Sequence, residues 1–297
     1  MIRGMKEKIK RLPPWLVQKT PKSGHIHSMK SSLRSLGLHT VCESAHCPNL
    51  GRCFKKPTAT FLIMGDRCTR NCAFCNVETA VPLPLDRSEP ENLASHAATL
   101  GLKHVVITSV TRDDLPDGGL DHFLACVAAV KAKLPHATVE ILTPDFKGVG
   151  NAVSVLAKAD IEIFNHNLET VPRLYKSVRP GADYVRSLQL LRDVKKAAPH
   201  IVTKSGLMVG LGETTDEVCK VFDDLVAHSV DAVTVGQYMR PSLKHHPVID
   251  YIHPDLFAEL AESARTAGFR YVACDPLVRS SFNAEEMMSQ IKKAESE

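Results

Sequence analysis

Three closely spaced cysteines offer the most distinctive chemistry in this sequence. Cys68, Cys72 and Cys75 lie in the segment GDRCTRNCAFCNV with the spacing C-x3-C-x2-C, directly after the apolar run ATFLIM. Thiolates this close together can each hold one iron of a 4Fe-4S cluster, and three ligands for four irons leave one iron open to a small molecule. A structural zinc ion needs a fourth ligand, usually from a second C-x2-C or H-x3-H pair, and none follows Cys75. The spacing therefore favours a reactive iron-sulfur cluster.

A second group of three cysteines lies shortly upstream. The segment VCESAHCPNLGRC carries Cys42, Cys47 and Cys53 with the spacing C-x4-C-x5-C, and its proline, asparagine and glycine residues favour turns that bring thiols together. Spacing alone allows three interpretations: a zinc site completed by His46 or His39, a redox pair with a spare cysteine, or a second iron-sulfur cluster. The residues of this segment leave all three open.

Composition narrows the class of protein. Cys126, Cys219 and Cys274 are isolated in apolar surroundings, which predicts buried core positions. Nine cysteines without a secretory signal indicate a reducing compartment, where clustered cysteines more often bind metal than form disulfides. Lys and Arg exceed Asp and Glu by only 37 to 33, far from the basic surface of a nucleic-acid-binding protein. Because no apolar run approaches the roughly 20 residues that cross a bilayer, we predict a cytoplasmic protein without nucleic-acid or membrane partners.

The rest of the chain must position the cysteines, and its pattern is that of repeated βα units. From about Ala59 onward, short β-rich runs alternate with amphipathic stretches, as expected for helices on a parallel sheet. The predicted strands are Ala59 to Met64, His104 to Val110, Thr138 to Leu142, Ile161 to Phe164, Ile201 to Val209, Ala232 to Val235 and Arg270 to Cys274. Predicted helices include Leu120 to Leu134, Tyr184 to Ala198 and Glu217 to His228. Six or seven units are too few for a closed barrel, so we expect an α/β fold with an open partial barrel or a doubly wound sheet.

Two flanking segments differ from this pattern. Residues 1–54 are interrupted by Pro13, Pro14 and Pro21 and contain a helix-like piece near Met29 to Leu36 and the upstream cysteines. We interpret them as an N-terminal extension. Residues 55–274 form the predicted barrel, and residues 275–297 form a C-terminal segment whose charged end has a helical pattern. The downstream cysteines follow the first predicted strand, at the end of a barrel where active sites lie.

Both cysteine groups carry a family resemblance. The C-x3-C-x2-C loop, with Phe74 directly before its last cysteine, resembles the defining loop of the radical S-adenosylmethionine (SAM) superfamily, which implies a partial (β/α)6-type barrel. The upstream group, at its C-x4-C-x5-C spacing, resembles that of lipoyl synthases. Further segments resembling lipoyl synthases span nearly the whole chain: PPWL at Pro13 to Leu16, TSVTRDDLPDGG at Thr108 to Gly119, NHNLETVPRLYKSVRPGADY at Asn165 to Tyr184, KSGLMVGLGET at Lys204 to Thr214, VTVGQYMRPS at Val233 to Ser242 and PLVRSSFNA at Pro276 to Ala284.

The resemblance implies a role for each cysteine. The downstream three, Cys68, Cys72 and Cys75, are expected to hold a 4Fe-4S cluster whose open iron binds the methionine part of SAM, which an electron then cleaves to a 5′-deoxyadenosyl radical. In the family the upstream cysteines and a serine near the C-terminus hold an auxiliary 4Fe-4S cluster. The expected auxiliary ligands are Cys42, Cys47, Cys53 and Ser281, with Ser280 as the alternative serine.

The C-terminal segment departs from the family pattern at two positions. Phe282 stands where the family normally has Tyr, and Asp275 stands where it normally has Gly. A hard serine oxygen suits iron-sulfur iron less well than a thiolate, so this ligand can leave when the auxiliary cluster gives up sulfide. Serine ligation does not depend on the missing phenol hydroxyl.

Polar residues near the ends of predicted strands are candidates for SAM contacts. Asn165, Asn167 and Glu169 follow the fourth strand and are expected to hydrogen-bond the SAM ribose or methionine groups, while Arg179 and Lys204 are expected to pair with its carboxylate. A cluster of carboxylates after the second strand is either part of the site or a solvated turn; its members are Asp113, Asp114 and Asp117. The GLGE segment at Gly210 to Glu213 allows close backbone approach to a ligand.

The reaction implied by the resemblance is insertion of sulfur at C6 and C8 of an octanoyl group held on a lysine of a lipoyl carrier protein. The expected carriers are lipoyl domains of 2-oxoacid dehydrogenases and the glycine-cleavage H protein, with a ferredoxin- or flavodoxin-type electron donor. The hydrogens on C6 and C8 of the octanoyl group are unactivated, and no side-chain base can remove them at neutral pH. A carbon radical is therefore the accessible route. Two other classes of protein are alternatives. One is a methylthiotransferase-like sulfur inserter, which should carry an RNA-binding appendage, and the other is a non-enzymatic zinc or iron-sulfur protein.

Overall fold

Strands and helices alternate along most of the chain. The computed structural model of the protein describes residues 11–18, 31, 33–34, 37–44, 49, 58–147, 149–281 and 287. The strands are β1 (His39–Thr40), β2 (Thr58–Ile63), β3 (Arg67–Cys68), β4 (Glu78–Thr79), β5 (His104–Ser109), β6 (Thr138–Leu142), β7 (Ile163–Asn165), β8 (Val202–Val209), β9 (Ala232–Gln237) and β10 (Tyr271–Cys274). The α-helices are α1 (Val41–Ser44), α2 (Glu89–Thr99), α3 (Leu120–Lys133), α4 (Ala152–Leu156), α5 (Tyr175–Val178), α6 (Tyr184–Ala197), α7 (Thr215–Ala227) and α8 (Pro254–Ala267). Two short 3-10 helices are Pro14–Leu16 and Pro172–Leu174.

Eight of the strands form one sheet in the order β1-β2-β5-β6-β7-β8-β9-β10. The strands from β2 to β10 pair in parallel, whereas β1 lies antiparallel on β2 and pairs Thr40 with Phe61. The large sheet has seven parallel strands, and each of the first six is followed by at least one helix. This gives six βα units, with β10 as the last strand. Within the described residues β1 and β10 do not pair, so the barrel is open. The predicted partial barrel and its seven strands are confirmed, while β1 was not predicted.

The two faces of the sheet differ in chemistry because side chains alternate along each strand. One face contributes apolar residues such as Phe61, Ile107 and Ile141, which pack with buried helix residues such as Phe123 and Leu191 in the main core. The opposite face, inside the open barrel, carries polar side chains at the alternate positions. These include Thr60, Thr108, Glu140, Asn165, Lys204 and Thr234, all buried. The apolar core therefore stabilises the barrel from outside and leaves its interior for polar chemistry.

The helices begin and end where local sequence signals place them. The α7 helix starts with a capping box. The Thr214 hydroxyl accepts a hydrogen bond from the Glu217 amide, and the Glu217 carboxylate accepts one from the Thr214 amide. The Asp183 carboxylate caps α6 by accepting from the amide of Arg186. The three helices predicted from periodicity are confirmed to within about two residues at each end, the usual uncertainty of helix boundaries.

The N- and C-terminal parts of the chain meet at the open side of the barrel. The buried Asn49 donates from Nδ2 to the carbonyl of Leu277 over 2.5 Å. The Thr60 hydroxyl on β2 donates to the Ser281 hydroxyl over 3.0 Å. The segment after β10 therefore reaches back to β2, the first parallel strand of the sheet.

Other predictions concern residues outside this description. Most of the predicted helix near Met29 to Leu36, and nearly all of the tail after Ala284, lie outside the described residues. The division at residues 54 and 274 stays a prediction. In the described part of the chain, no helix combines the length and the apolar character needed to cross a membrane.

Candidate active site

A sharp turn carries the chain from β2 into the loop that holds Cys68, Cys72 and Cys75. Met64 and Gly65 both have positive φ values, 66° and 88°, a conformation that is costly for Met. The Met64 amide donates to the buried carboxylate of Glu89 over 2.9 Å, and the His122 ring lies 2.6 Å from the same oxygen. These contacts hold the turn at the C-terminal end of β2, so the cysteine loop starts from a fixed point.

Loops from several other βα units hold the cysteine loop in place. The Ala73 amide donates to the Val178 carbonyl over 2.8 Å, and the Ala73 carbonyl accepts from the His246 amide over 2.8 Å. The His245 ring lies 3.0 Å from the carbonyl of Cys75. No local pattern indicates a role for His245 or His246, because these contacts join residues about 170 positions apart. The loop is thus part of the rigid C-terminal end of the barrel.

The three thiols are partly exposed. The Cys68 sulfur accepts from the amides of Arg70 and Thr111, over 3.4 and 3.3 Å. Burial raises the pKa of Cys72 to about 12, although the Arg179 guanidinium opposes the rise, and burial raises the pKa of Cys75 to about 11. Among the described residues, no group of three or more His, Cys, Asp or Glu side chains is arranged to hold a metal ion.

Arg70, between the first two cysteines of the loop, is a buried cation whose role is not evident from the sequence. Its side chain is 6% exposed and donates to both oxygens of Asp113 and to Asp145, over 2.6 to 2.8 Å. Burial alone would lower the pKa of Arg70, but the two carboxylates outweigh burial and raise it. Arg186 binds the other oxygen of Asp145. An arginine inside a cysteine motif is the one sequence feature that could have indicated a role for Arg70. Its carboxylate partners are brought to it by the fold of the barrel.

Three of the predicted SAM contacts lie together beside the cysteine loop. Glu169 has a positive φ of 68°, and its carboxylate accepts from Asn167 Nδ2 over 3.0 Å. Burial raises the pKa of Glu169, although the nearby Arg179 guanidinium opposes the rise. Arg179 also acts on Cys72, and its Nη1 donates to the Tyr175 hydroxyl over 3.4 Å. A cation and a carboxyl group thus lie next to the Cys72 thiol, and this pair of charges complements a ligand that carries both signs.

The other two predicted contacts, Asn165 and Lys204, belong to a buried polar layer inside the barrel. Lys204 Nζ donates to both oxygens of Glu140, over 3.0 and 3.2 Å, and Asn165 Nδ2 donates to Oε1 of Glu140 over 2.8 Å. His104 Nε2 lies 3.6 Å from the same carboxylate. Burial raises the pKa of Glu140, but Lys204 and its hydrogen bonds outweigh burial and lower it to about 2. Contact of Lys204 or Asn165 with SAM stays a prediction.

The remaining loop candidates have partners within the protein. Asp114 pairs with Arg112 over 2.8 Å, and Asp117 accepts from the amides of Gly119 and Asp121 at the start of α3. The Glu213 carboxylate accepts from the amides of Gly210 and Leu211, so the GLGE segment folds on itself. Together with the Arg70 contact of Asp113, these hydrogen bonds give all three carboxylates a structural partner.

Part of the predicted auxiliary site is described. Cys42 lies in α1, directly after the strand whose Thr40 pairs with Phe61 of β2. The residue before Phe61 is Thr60, which donates to Ser281. Cys47 and Cys53 lie outside the described residues, but Asn49 between them contacts Leu277. Asn49 and Thr60 therefore both contact the C-terminal segment, which lies more than 220 positions later in the chain.

The donor groups fit the cofactors that the sequence implies. Soft thiols on one loop, with amide donors to the Cys68 sulfur, are the environment in which iron-sulfur clusters are held. The buried Oδ1 atoms of Asn165 and Asn167 have no hydrogen-bond partner among the described residues. Unpaired buried acceptors are costly, so they suit a ligand with hydroxyl or amino donors, such as SAM.

Comparison with known proteins places this geometry in a class. The sequence profile of the Radical SAM superfamily matches residues 62–225, and that of the N-terminal domain of lipoyl synthase of the radical SAM family matches residues 1–47. The fold is similar to that of Streptococcus suis SuiB bound to precursor peptide SuiA (TM-score 0.57, 14% identity, 83% of this chain and 52% of that chain). It is also similar to methylornithine synthase (TM-score 0.54, 14% identity, 94% of this chain and 90% of that chain). The fold and sequence are those of a radical SAM protein.

Curated relatives narrow the class further. The lipoyl synthase of Thiobacillus denitrificans is 54% identical over 277 residues, 93% of this chain and 89% of that protein. The lipoyl synthase of Burkholderia mallei is 54% identical over 281 residues, 94% of this chain and 85% of that protein. This chain belongs to the lipoyl synthase family. The predicted family, enzyme class and cofactors, SAM and two 4Fe-4S clusters, are confirmed at the level of the family.

Proposed function

We propose that the chain converts octanoyl groups into lipoyl groups on lipoyl domains of 2-oxoacid dehydrogenases or on the glycine-cleavage H protein. A ferredoxin- or flavodoxin-type protein is the proposed electron donor. The supporting observation is that the C-terminal segment seats adjacent serines on two different sides of the barrel interior. Ser280 accepts from Asn167, beside the downstream cysteines, and Ser281 accepts from Thr60, beside the segment of the upstream cysteines.

The two proposed cofactor sites have different roles in the reaction. When bound, SAM with the cluster on Cys68, Cys72 and Cys75 supplies the radical for C6 and C8, and the auxiliary cluster supplies the sulfur. The chain's own residues then have to hold ligands in register. The octanoyl chain has to enter between the two sites, from the C-terminal end of the barrel where the cysteine loop lies.

Charged residues next to the loop are suited to orient SAM. We assign the Arg179 guanidinium to the SAM carboxylate and the Glu169 carboxyl group to its amino group, because opposite charges at a buried site attract strongly. Asn167 holds Glu169 through its Nδ2 and keeps Oδ1 free of described partners. Asn165 and Lys204, in the layer below, are assigned to the ribose and the carboxylate side of the same ligand.

Sulfur insertion is tested with the reconstituted protein. It is incubated anaerobically with SAM, a reductant and an octanoyl-lysine peptide, and the peptide mass is followed. We expect a gain of two sulfur atoms and consumption of two SAM molecules per peptide. SAM cleavage without sulfur gain would leave the superfamily assignment and remove the proposed substrate. A colourless protein with zinc and no iron or sulfide would contradict the assignment as a radical enzyme.

The two serines provide a matched pair for the auxiliary site. Ser281→Ala is expected to lower iron and sulfide content and to abolish lipoyl formation, while SAM cleavage continues. Ser280→Ala removes the same oxygen one residue earlier and is expected to keep both clusters. An unchanged lipoyl yield from Ser281→Ala, or loss of the auxiliary cluster from Ser280→Ala alone, would contradict the assignment of Ser281.

A further inference from the structure

Three successive residues of the cysteine loop are linked to the loop after β5 by a continuous set of hydrogen bonds. The Thr111 amide donates to the Cys68 sulfur over 3.3 Å, and the Thr69 amide donates to the Thr111 carbonyl over 3.1 Å. The Asp113 amide donates to the Thr69 hydroxyl over 3.1 Å, and the Arg70 guanidinium binds both oxygens of Asp113. We call this set, from Cys68 to Arg70 against Thr111 to Asp113, the loop ladder.

A second carboxylate fixes the outer end of the loop ladder. Arg70 Nη2 also donates to Asp145, whose side chain is fully buried in the loop after β6. The planar guanidinium with several fixed donors can bridge two carboxylates at once, which a lysine ammonium does far less well. The position of the Thr111 amide at the Cys68 sulfur therefore depends on a bridge that only an arginine builds completely.

Amide donors matter at this sulfur because hydrogen bonds to cluster sulfurs help to set reduction potential. A donor stabilises the reduced cluster, which carries the additional negative charge, and so raises the potential. Of the three thiols, Cys68 accepts from two amides, and one of them, that of Thr111, comes from outside the cysteine loop. The geometry at Cys68 thus provides a means of tuning that reaches beyond the cluster ligands.

We propose that Arg70 is a positioning residue that sets the reduction potential of the cluster on Cys68, Cys72 and Cys75 by holding the Thr111 amide on the Cys68 sulfur. The inference rests on the proposed cluster ligands. The Arg70 guanidinium binds Asp113 and Asp145, and only the backbone amide of this residue donates to the Cys68 sulfur. Its effect passes through Asp113 and Thr69 to Thr111, along the contacts of the loop ladder.

Two variants that keep the net charge test the proposal. Arg70→Lys retains the positive charge but loses the two-sided bridge, and Thr69→Val removes the hydroxyl of the ladder without changing any charged group. The midpoint potential is measured by redox titration of the electron paramagnetic resonance signal that changes on SAM addition, in the cluster-loaded protein. We expect a more negative potential in both variants, with iron and sulfide content unchanged. At a fixed solution potential the ratio of reduced to oxidised cluster should fall about tenfold, a shift of about 59 mV for one electron.

A matched arginine provides the control. Arg173 also binds one carboxylate in two-pronged geometry, that of Glu217, and it joins the loops after β7 and β8. Arg173→Lys is expected to leave the potential unchanged. Hydrogen exchange of the loaded protein adds a structural readout, since the Thr111 amide should exchange faster in Arg70→Lys and Thr69→Val than in wild type.

The outcomes separate the inference from the function on which it rests. A loaded wild type together with wild-type potentials in Arg70→Lys and Thr69→Val would overturn the role of Arg70 alone. A normal potential in Arg70→Lys with a shift only in an Arg70→Met variant would show that charge acts, not position, and would also overturn it. A wild-type protein that takes up no iron or sulfide would overturn the proposed function and this inference with it. If Arg70→Lys loads poorly, Thr69→Val decides the question.

Discussion

At the scale of single residues, the interior of the barrel depends on an ion pair that is almost completely removed from water. Lys204 is 1% exposed and Glu140 is 0% exposed, and Asn165 supplies a further donor to the same carboxylate. Such a pair gives little net stability over an apolar alternative, but removal of one partner leaves a buried charge alone. Removal of either Lys204 or Glu140 therefore leaves the other side chain without its counter-charge.

Replacement of the carboxylate measures this dependence. Glu140→Gln is expected to lower the free energy of unfolding at pH 7 by about 3 to 5 kcal/mol, because the Lys204 ammonium loses its counterion. Urea denaturation followed by circular dichroism measures the change. The double variant Glu140→Gln, Lys204→Met should recover part of the loss, whereas additive effects would show that the two side chains are not coupled.

The same pair gives a pH dependence of known sign. The lowered pKa of Glu140, about 2 against the usual 4.5, means that its contribution is complete above about pH 4.5. The contribution is lost as pH falls through the folded-state value, because protonated Glu140 no longer pairs with Lys204. The stability difference between wild type and Glu140→Gln should therefore be constant from pH 7 to pH 5 and should shrink at pH 3. A difference that grows on acidification would contradict the depressed pKa.

At the scale of elements, the start of α7 fixes a loop at the functional end of the barrel. Gly210 has a φ of 97°, and a side chain there would collide with Gln237 and with the Asp250 carbonyl, so glycine is required. The capping box of Thr214 and Glu217 begins the helix directly after this loop, and Glu217 also binds Arg173 from the preceding βα unit. The cap therefore stabilises the helix and joins two loops next to the site.

Removal of the cap is expected to have a moderate effect. Thr214→Ala should lower the free energy of unfolding by about 1 kcal/mol, the usual cost of losing an N-cap side chain. Thermal or urea denaturation measures it. Thr99→Ala is the control. The exposed Thr99 hydroxyl donates to the Ser95 carbonyl within the same helix, so its loss should change the free energy of unfolding very little. Equal losses in the two variants would argue against the capping role.

At the scale of the whole molecule, the open barrel is bridged by contacts between distant parts of the chain. Asn49 is buried, lies between the predicted ligands Cys47 and Cys53, and donates to the carbonyl of Leu277. Thr60 donates to Ser281 on the same side of the barrel. The C-terminal segment therefore contacts both Asn49 and strand β2, as the proposed auxiliary site requires.

This link predicts the behaviour of an asparagine variant. Asn49→Ala is expected to loosen the auxiliary site, so iron content should fall by up to half while SAM cleavage at the other cluster persists. Iron and sulfide analysis with a SAM-cleavage assay separates the two effects. Asn151→Ala, at an exposed asparagine without a side-chain cap hydrogen bond, should retain full iron. Equal iron in both variants would indicate that the Asn49 contact does not support the auxiliary cluster.

Features of the protein that depend on a local residue pattern could be predicted from the sequence. Cysteine spacing is a local property of a few residues, so it predicts a cluster-binding loop, and hydrophobic periodicity located the parallel strands to within a few residues. Resemblance over the whole chain then indicated the family, which the relatives confirm. The N-cap signals of α6 and α7 are likewise local, since the capping residue and its partner lie three positions apart.

Tertiary structure decided which distant residues share a site. Nothing near Arg70 in the sequence indicates that its guanidinium binds Asp113 and Asp145, because the parallel strands bring three separate loops to one edge. The pairing of Lys204 with Glu140 likewise depends on the register of strands β6, β7 and β8. Partners of buried charges are set by strand register and loop approach, which no local pattern encodes. The sequence therefore identified the chemistry, and the fold decided which charges surround it.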